Sequence, residues 1–255
     1  MHYDDRVGSK IGSMVANEAI APTPIYENSA WTYDASRFEC PCGFLQNEIE
    51  TRIVSRLIGN SSRVLDAGTG TGRFAIAASL SGRSVVAVDG SRKMIAVAKR
   101  KAAAAGFTDS VSWVQADVRN LPFKPSAFGS VVSIRVLSHY RRVGPTLAEF
   151  SRVLKPGGDL IIDASNRFAS AYRRLNLGSR RQSAPDFFHP VKDIAREMAT
   201  HSISLASTER YAIVPFALLH RTLCAAVQWR ARAILRATIQ TQVGFSAIVR
   251  GVKTA

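Results

Sequence analysis

One segment does most to limit what this chain can fold into. Val64-Leu65-Asp66-Ala67-Gly68-Thr69-Gly70-Thr71-Gly72 carries a short apolar run into an acid and then into a glycine at every second position. Phe74 to Leu80 follows with helical character and stops at Gly82, so the unit reads as strand, tight turn and helix. Glycines in such a turn let the backbone approach a ligand where a Cβ would stand in the way. The helix start behind the turn offers unpaired N–H groups and the positive end of a dipole.

The same alternation continues downstream. Short apolar runs at Ser84 to Val88, Val111 to Gln115 and Phe128 to Ile134 read as buried strands, and Asp159 to Asp163 opens a fifth. Met94 to Ala105 and Pro145 to Leu154 read as helices, closed by Gly106 and by Lys155-Pro156-Gly157-Gly158. Strands alternating with helices imply βαβ units and a doubly wound parallel sheet with helices on both faces. Ligands of such sheets sit beyond the carboxyl ends of the strands, near the point where strand order reverses. An amphipathic helix over Leu45 to Ile58 precedes the first strand. Before it, residues 1–44 show no steady period and read as an irregular arm or lid. Residues 45–165 form the ligand-binding core of this reading. Residues 166–255 complete the sheet and supply insertions: an Arg-rich stretch from Asn166 to Pro185, a helix that follows His189-Pro190 and runs to about Thr200, and β-rich segments over Ile203 to Val214 and Val243 to Val252. An apolar, Arg-studded helix is expected between those two segments, roughly Ala217 to Ala237.

Acids end the first two strands and follow the third. Asp66 stands two residues before Gly68, where a carboxylate would repel a pyrophosphate and suit a ligand with an ammonium group. The dinucleotide fingerprint also needs glycine where this chain has Arg73, which disfavours a nicotinamide-dependent dehydrogenase. Asp89 can accept from both hydroxyls of a ribose, or cap the next helix beside Ser91. Asp117-Val118 can meet an adenine edge, or simply make a turn. Together the acids and the glycine turn describe a line for amino acid, ribose and adenine.

The segments Val64 to Phe74, Val85 to Lys99, Val114 to Pro122 and Leu147 to Ile162 resemble the successive motifs of class I S-adenosylmethionine-dependent methyltransferases. They are most similar to the broad type 11 group that includes the ubiquinone and menaquinone C-methyltransferases. Asp89-Gly90-Ser91 with Met94, Gln115-Ala116-Asp117-Val118 with Leu121-Pro122-Phe123, and Phe150 to Gly158 are the segments that carry the likeness. The resemblance implies a Rossmann-like α/β sheet of seven strands, mostly parallel with an antiparallel C-terminal strand. It implies S-adenosyl-L-methionine as cofactor and S-adenosyl-L-homocysteine as product. Asp66, Gly68, Thr69 and Gly70 would hold the methionine portion, Asp89 the ribose, and Gly90, Asp117 and Val118 the adenine. Ile134 and Arg135 would lie near the sulfonium. The family often has a small residue or Asn at that point, so Arg135 departs from it. A cation is unfavourable there, and its side chain is expected to turn toward the acceptor or an anion.

Methyl transfer is mainly a matter of alignment, and a general base is needed only if the acceptor loses a proton. His139, after the fourth strand, is the candidate base, with a structural capping role as the alternative. Tyr140 and His189 are candidate acceptor contacts. Tyr26, Trp31, Tyr33 and Phe38 in the arm either cover the site or pack on the main domain.

The chain of 255 residues holds 34 Lys and Arg against 19 Asp and Glu, a formal charge of +15. That balance fits a solvated basic surface or an anionic partner. The expected acceptor is a small molecule, with lipid-like and anionic acceptors both open and peripheral contact with an anionic membrane as a further expectation. An RNA-directed methyltransferase and a non-catalytic S-adenosylmethionine-binding protein are the alternatives. The RNA reading is weakened because Ser133 to Tyr140 lacks the double-proline segment of base-amino methyltransferases. Cys40-Pro41-Cys42, without a second pair, is a weak metal motif and no metal is expected. No secretory signal opens the chain and a cytoplasmic location is the expectation.

Overall fold

A computed structural model of the chain describes residues 23–38, 41–107, 110–165, 187–211 and 246–254. In chain order the elements are α1 (Thr23–Ser29), a 3-10 turn (Ala30–Thr32), α2 (Tyr33–Phe38), α3 (Pro41–Leu57), β1 (Arg63–Ala67), α4 (Arg73–Ser79), β2 (Ser84–Asp89) and α5 (Arg92–Ala104). There follow β3 (Val111–Gln115), β4 (Phe128–Ser133), a second 3-10 turn (Leu137–His139), α6 (Gly144–Val153), β5 (Leu154–Ser165), α7 (Val191–Thr200), β6 (Ile203–Tyr211) and β7 (Ser246–Lys253). The sheet has seven strands in the order β3-β2-β1-β4-β5-β7-β6. The pairs β1–β2, β1–β4, β2–β3 and β4–β5 are parallel, while β7 runs antiparallel to both its neighbours. Strand order reverses between β1 and β4, which opens a crevice at their carboxyl ends.

The alternation of side chains along the central strands explains why both faces must be covered. Leu65 and Ala67 of β1 point into one core with Val86, Val88 and Val131, against Leu147 and Phe150 of α6 and Ile194 and Met198 of α7. Val64 points the other way, into a second core with Val85, Val132 and Ile161, covered by Val54, Ile58 and Phe74. Leu147, Phe150 and Ile194 are fully buried, and each contributes about 2 kcal/mol of apolar transfer free energy. A strand buried on both sides reads as continuous apolar sequence, as Val85–Val88 does.

Three features differ from expectation. The arm is not irregular throughout: α1, the 3-10 turn and α2 order residues 23–38, because Tyr26, Ala30 and Tyr33 pack on Met94 and Val97 of α5. Partners distant in the chain, not a local period, hold it. Lys155-Pro156-Gly157-Gly158 does not end α6 and precede a strand. Leu154 already pairs with Phe128 and the four residues bulge from β5 before pairing resumes at Ser130–Asp159. Burial of Leu154 outweighs the breaking tendency of Pro and Gly, with Gly157 taking the left-handed conformation at φ +74°. Helix α3 begins at Pro41, several residues before its apolar stripe. The expected helix over Ala217 to Ala237, the Arg-rich stretch of 166–185 and Cys40 lie outside the described residues.

Candidate functional site

The carboxyl ends of β1, β2 and β4, the loop after β3 and the helical arm enclose a cavity of about 360 Å³. That is the lower part of the range for small-molecule sites, roughly 300–1,000 Å³. Gly68, Thr69 and Gly70 form one wall. Asp89 and Gly90 follow, then Gln115 to Val118, then Ile134, Arg135, Val136, His139 and Tyr140. Three arm aromatics, Tyr26, Tyr33 and Phe38, close the remaining side. Trp31 does not join them; it is 56% exposed, with Arg100 4.8 Å from its ring centroid.

The turn is built around Asp66. This carboxylate is 2% exposed and does not line the cavity. Its Oδ2 accepts from the Thr69 hydroxyl at 2.6 Å and from the Ala75 N–H at 3.0 Å, bracing the turn from beneath. The expected direct contact of Asp66 with a ligand is thereby replaced by a supporting position, since local donors within nine residues satisfy the acid first. Burial raises Asp66 to about 6, against the bonds from Thr69 and Ala75. Gly68 shows why the motif needs glycine: φ is +77°, and a Cβ there would collide with the Val136 side chain. Gly70 has φ +55° and nothing within 4 Å of a Cβ position, so only backbone faces the opening.

Asp89 occupies the end of β2 as its register with β1 and β3 dictates. Its Oδ2 accepts from the Gly70 N–H at 2.8 Å and its Oδ1 from the Ser91 N–H at 2.9 Å. Burial raises its pKa despite those bonds. Capping of α5 falls to Ser91 itself, whose hydroxyl accepts from Met94 N–H at 3.1 Å. Asp89 is therefore not the helix cap and keeps its place in the wall. Asp117 also lines the cavity but is engaged by Arg119, with Nη2 2.7 Å from Oδ2 and Nε 3.1 Å from both oxygens. Burial would raise this carboxyl; the bonds from Arg119 outweigh it and lower it. Val118 is buried beside it.

Arg135 follows β4 in the left-handed conformation, φ +64°, which is rare for a side chain of this size. Asp163 Oδ1 fixes it by accepting the Arg135 N–H at 2.7 Å. The guanidinium turns to an anion, as expected: Nη2 lies 2.9 Å from Glu50 Oε1. Glu50 comes from α3 and is 1% exposed. It also takes Arg73 Nη2 at 2.6 Å on Oε2, and the Tyr211 hydroxyl and Gln46 Nε2 at 2.7 Å each on Oε1. Burial opposes its charge, but Arg135 and Arg73 hold its carboxyl down at about 2. This hub was not anticipated. The available signal was an acid four residues from Gln46 and from Val54, on the buried face of α3.

Beyond β4, His139 Nε2 lies 2.7 Å from the Tyr26 hydroxyl, with the rings in edge contact at 5.4 Å. Tyr140 lines the cavity too, and burial beside Asp117 pushes its hydroxyl up to about 12. His189 does not line the cavity. Its Nε2 lies 2.8 Å from the Tyr140 carbonyl oxygen, so it supports the backbone behind the wall. The arm is latched by two further acids that no motif flagged. Glu27 accepts from the Ser91 hydroxyl and the N–H groups of Arg92 and Lys93 at the start of α5. Asp34 accepts from the Thr71 hydroxyl and pairs with Lys101, both at 2.6 Å.

The glycine turn without Cβ atoms, the two lining carboxylates and the apolar side chains of Met94, Val118 and Tyr26 fit a cationic amino-acid nucleoside. Among the described residues no helix is long and apolar enough to cross a membrane.

Comparison with known proteins agrees with that fit. Residues 65–162 match the family model described as a methyltransferase domain. The chain is 38% identical over 112 residues to the demethylmenaquinone methyltransferase of Clavibacter sepedonicus, covering 44% of this chain and 44% of that protein. It is 36% identical over 153 residues to the biotin biosynthesis bifunctional protein BioHC of Cellvibrio japonicus, covering 60% and 29%. The matches thus span less than half the length of these relatives. The crystal structure of magnesium protoporphyrin IX methyltransferase from Synechocystis PCC 6803, with bound S-adenosylhomocysteine, superimposes with a TM-score of 0.67 at 16% identity, covering 91% of this chain and 98% of that one. At that identity the likeness concerns the fold.

Proposed function

We propose that this chain, whose residues 65–162 are a methyltransferase domain of the class I, S-adenosylmethionine-dependent kind, transfers a methyl group to a small-molecule acceptor. When bound, S-adenosylmethionine would supply a methyl carbon on a positively charged sulfur, open to in-line displacement by the acceptor. Gly68, Thr69 and Gly70 lie beside the methionine portion of the donor, with Asp66 bracing them from below. Asp89 accepts from the ribose hydroxyls, and Gly90, Asp117 and Val118 border the adenine. Arg135 stands at the methyl end, held back by Glu50. Tyr26, His139 and Tyr140 face the acceptor, and His139 takes the proton where the acceptor must lose one. Its bond to Tyr26 fixes the ring in place. Tyr140, raised to about 12, stays protonated near neutrality and serves as a donor or wall. Residues 23–38 of the arm act as the lid over this site.

An acceptor with an apolar or aromatic body is supported by Tyr26, Tyr33 and Phe38 on the acceptor side and by the quinone named for one relative. The observation that carries the reading is Asp89, placed at the end of β2 between two backbone N–H groups and open to the cavity. Calorimetry should detect S-adenosylhomocysteine and no NAD. Asp89→Ala should weaken nucleoside binding by about 100-fold while the fold persists. Unchanged affinity in that variant would remove the ribose assignment.

A further inference from the structure

We infer that Glu50 is a positioning residue that offsets one of the two charges of Arg73 and Arg135, so that the cavity discriminates less against a cationic donor relative to its neutral product. The inference rests on the proposed donor reading. Arg73 and Arg135 both line the cavity, one behind the glycine turn and one after β4. Uncompensated, two guanidiniums in a partly dehydrated wall would repel a sulfonium, which differs from the spent donor by that one positive charge. Glu50 does not line the cavity. It sits behind the wall, 1% exposed, with one oxygen on each guanidinium.

The arrangement is not explained by stability alone. A buried ion pair is a poor way to stabilise a fold, because desolvation offsets the attraction. What this carboxylate does that an apolar residue could not is set where two cations sit and how much field they project. Gln46 and Tyr211 fix its orientation, each donating to Oε1 at 2.7 Å. Asp163 fixes the backbone of Arg135 in its left-handed conformation. Held down at about 2, Glu50 remains ionised throughout the range in which the protein would work. Sequence elements far apart, α3, the start of α4, the loop after β4 and β6, meet at this one side chain.

Calorimetric Kd values for S-adenosylmethionine and S-adenosylhomocysteine, compared in four proteins, test the inference. Glu50→Gln should weaken S-adenosylmethionine about tenfold and S-adenosylhomocysteine less than about twofold. Arg135→Gln should move the ratio of the two affinities the other way, toward the cationic ligand. The double variant should return the ratio to near the wild-type value, which a merely structural role would not do. Parallel loss of both ligands in Glu50→Gln, with the ratio unmoved in Arg135→Gln, would overturn the inference. If Glu50→Gln does not unfold cooperatively, Arg135→Gln decides alone, since it leaves Glu50 paired with Arg73. A folded wild-type protein that binds neither ligand would instead overturn the proposed function.

Discussion

The glycine turn and the helical arm wall the same cavity, but they are held in opposite ways. The turn is fastened mostly by donors close in the chain, Thr69 and Ala75 to Asp66, both buried, with Gly70 bonded to Asp89 at the end of the adjacent strand. The arm is fastened by distant partners: Asp34 to Thr71 and Lys101, Glu27 to the start of α5, and Tyr26 to His139 across 113 residues. Most of those groups are half-exposed. The turn therefore shares the cooperativity of the sheet, while the arm is the part of the wall that opens at least cost. Under the proposed reading, the rigid part lies on the donor side and the cheaply opened part over the acceptor side, as suits an enzyme that must hold one ligand and exchange another.

The sharpest break of that comparison is Gly68→Ala. The new methyl would collide with Val136 and occupy φ +77°, at a cost of about 4 kcal/mol in chemical denaturation. A loss under about 1 kcal/mol would mean the turn yields as readily as the arm.

Next in size is Asp66→Asn. Between 3.8 and about 6 the native state binds a proton that the unfolded chain releases, so stability falls as pH rises through that interval and stays lower above it. Asn keeps an acceptor for Thr69 and Ala75 without the buried charge. The variant should exceed wild type by about 2 kcal/mol at pH 8 and lose the advantage near pH 4. A constant difference across pH would show that the acid is not the source.

The smallest effect belongs to the arm. Asp34 and Lys101 are each about one-third exposed, so Asp34→Asn should change global stability by less than about 1 kcal/mol. Limited proteolysis within residues 23–38 should nonetheless quicken several-fold, and raising salt from about 0.05 to 0.5 M should mimic the variant in wild type. Salt-independent cleavage would erase the contrast between arm and turn.

Legibility follows the same division. The strands from Arg63 to Ser133 and the positions of Asp89, Asp117 and Gly68 could be read in sequence, because period and glycine spacing report on the backbone nearby. The true place of Asp66 could not: the pattern marks an acid at a strand end, not which way its side chain turns. His189, a candidate acceptor contact by its place in the sequence, lies outside the cavity lining and reaches the Tyr140 carbonyl oxygen instead, because its position in the chain does not fix which way its ring turns. Leu154, expected in a helix, pairs with Phe128 because long-range burial overrides the Pro-Gly-Gly that follows.

By itself, then, the amino-acid order determined a doubly wound sheet, a glycine turn between carboxylates, and an arginine where a cation needs an answering anion. Only the tertiary structure decided that the anion is Glu50, that two acids latch the arm, and that Tyr26 reaches His139. Local periodicity encodes which face of an element is apolar. Partners brought together across dozens of residues are chosen by how those faces pack, and no spacing in the chain records that choice.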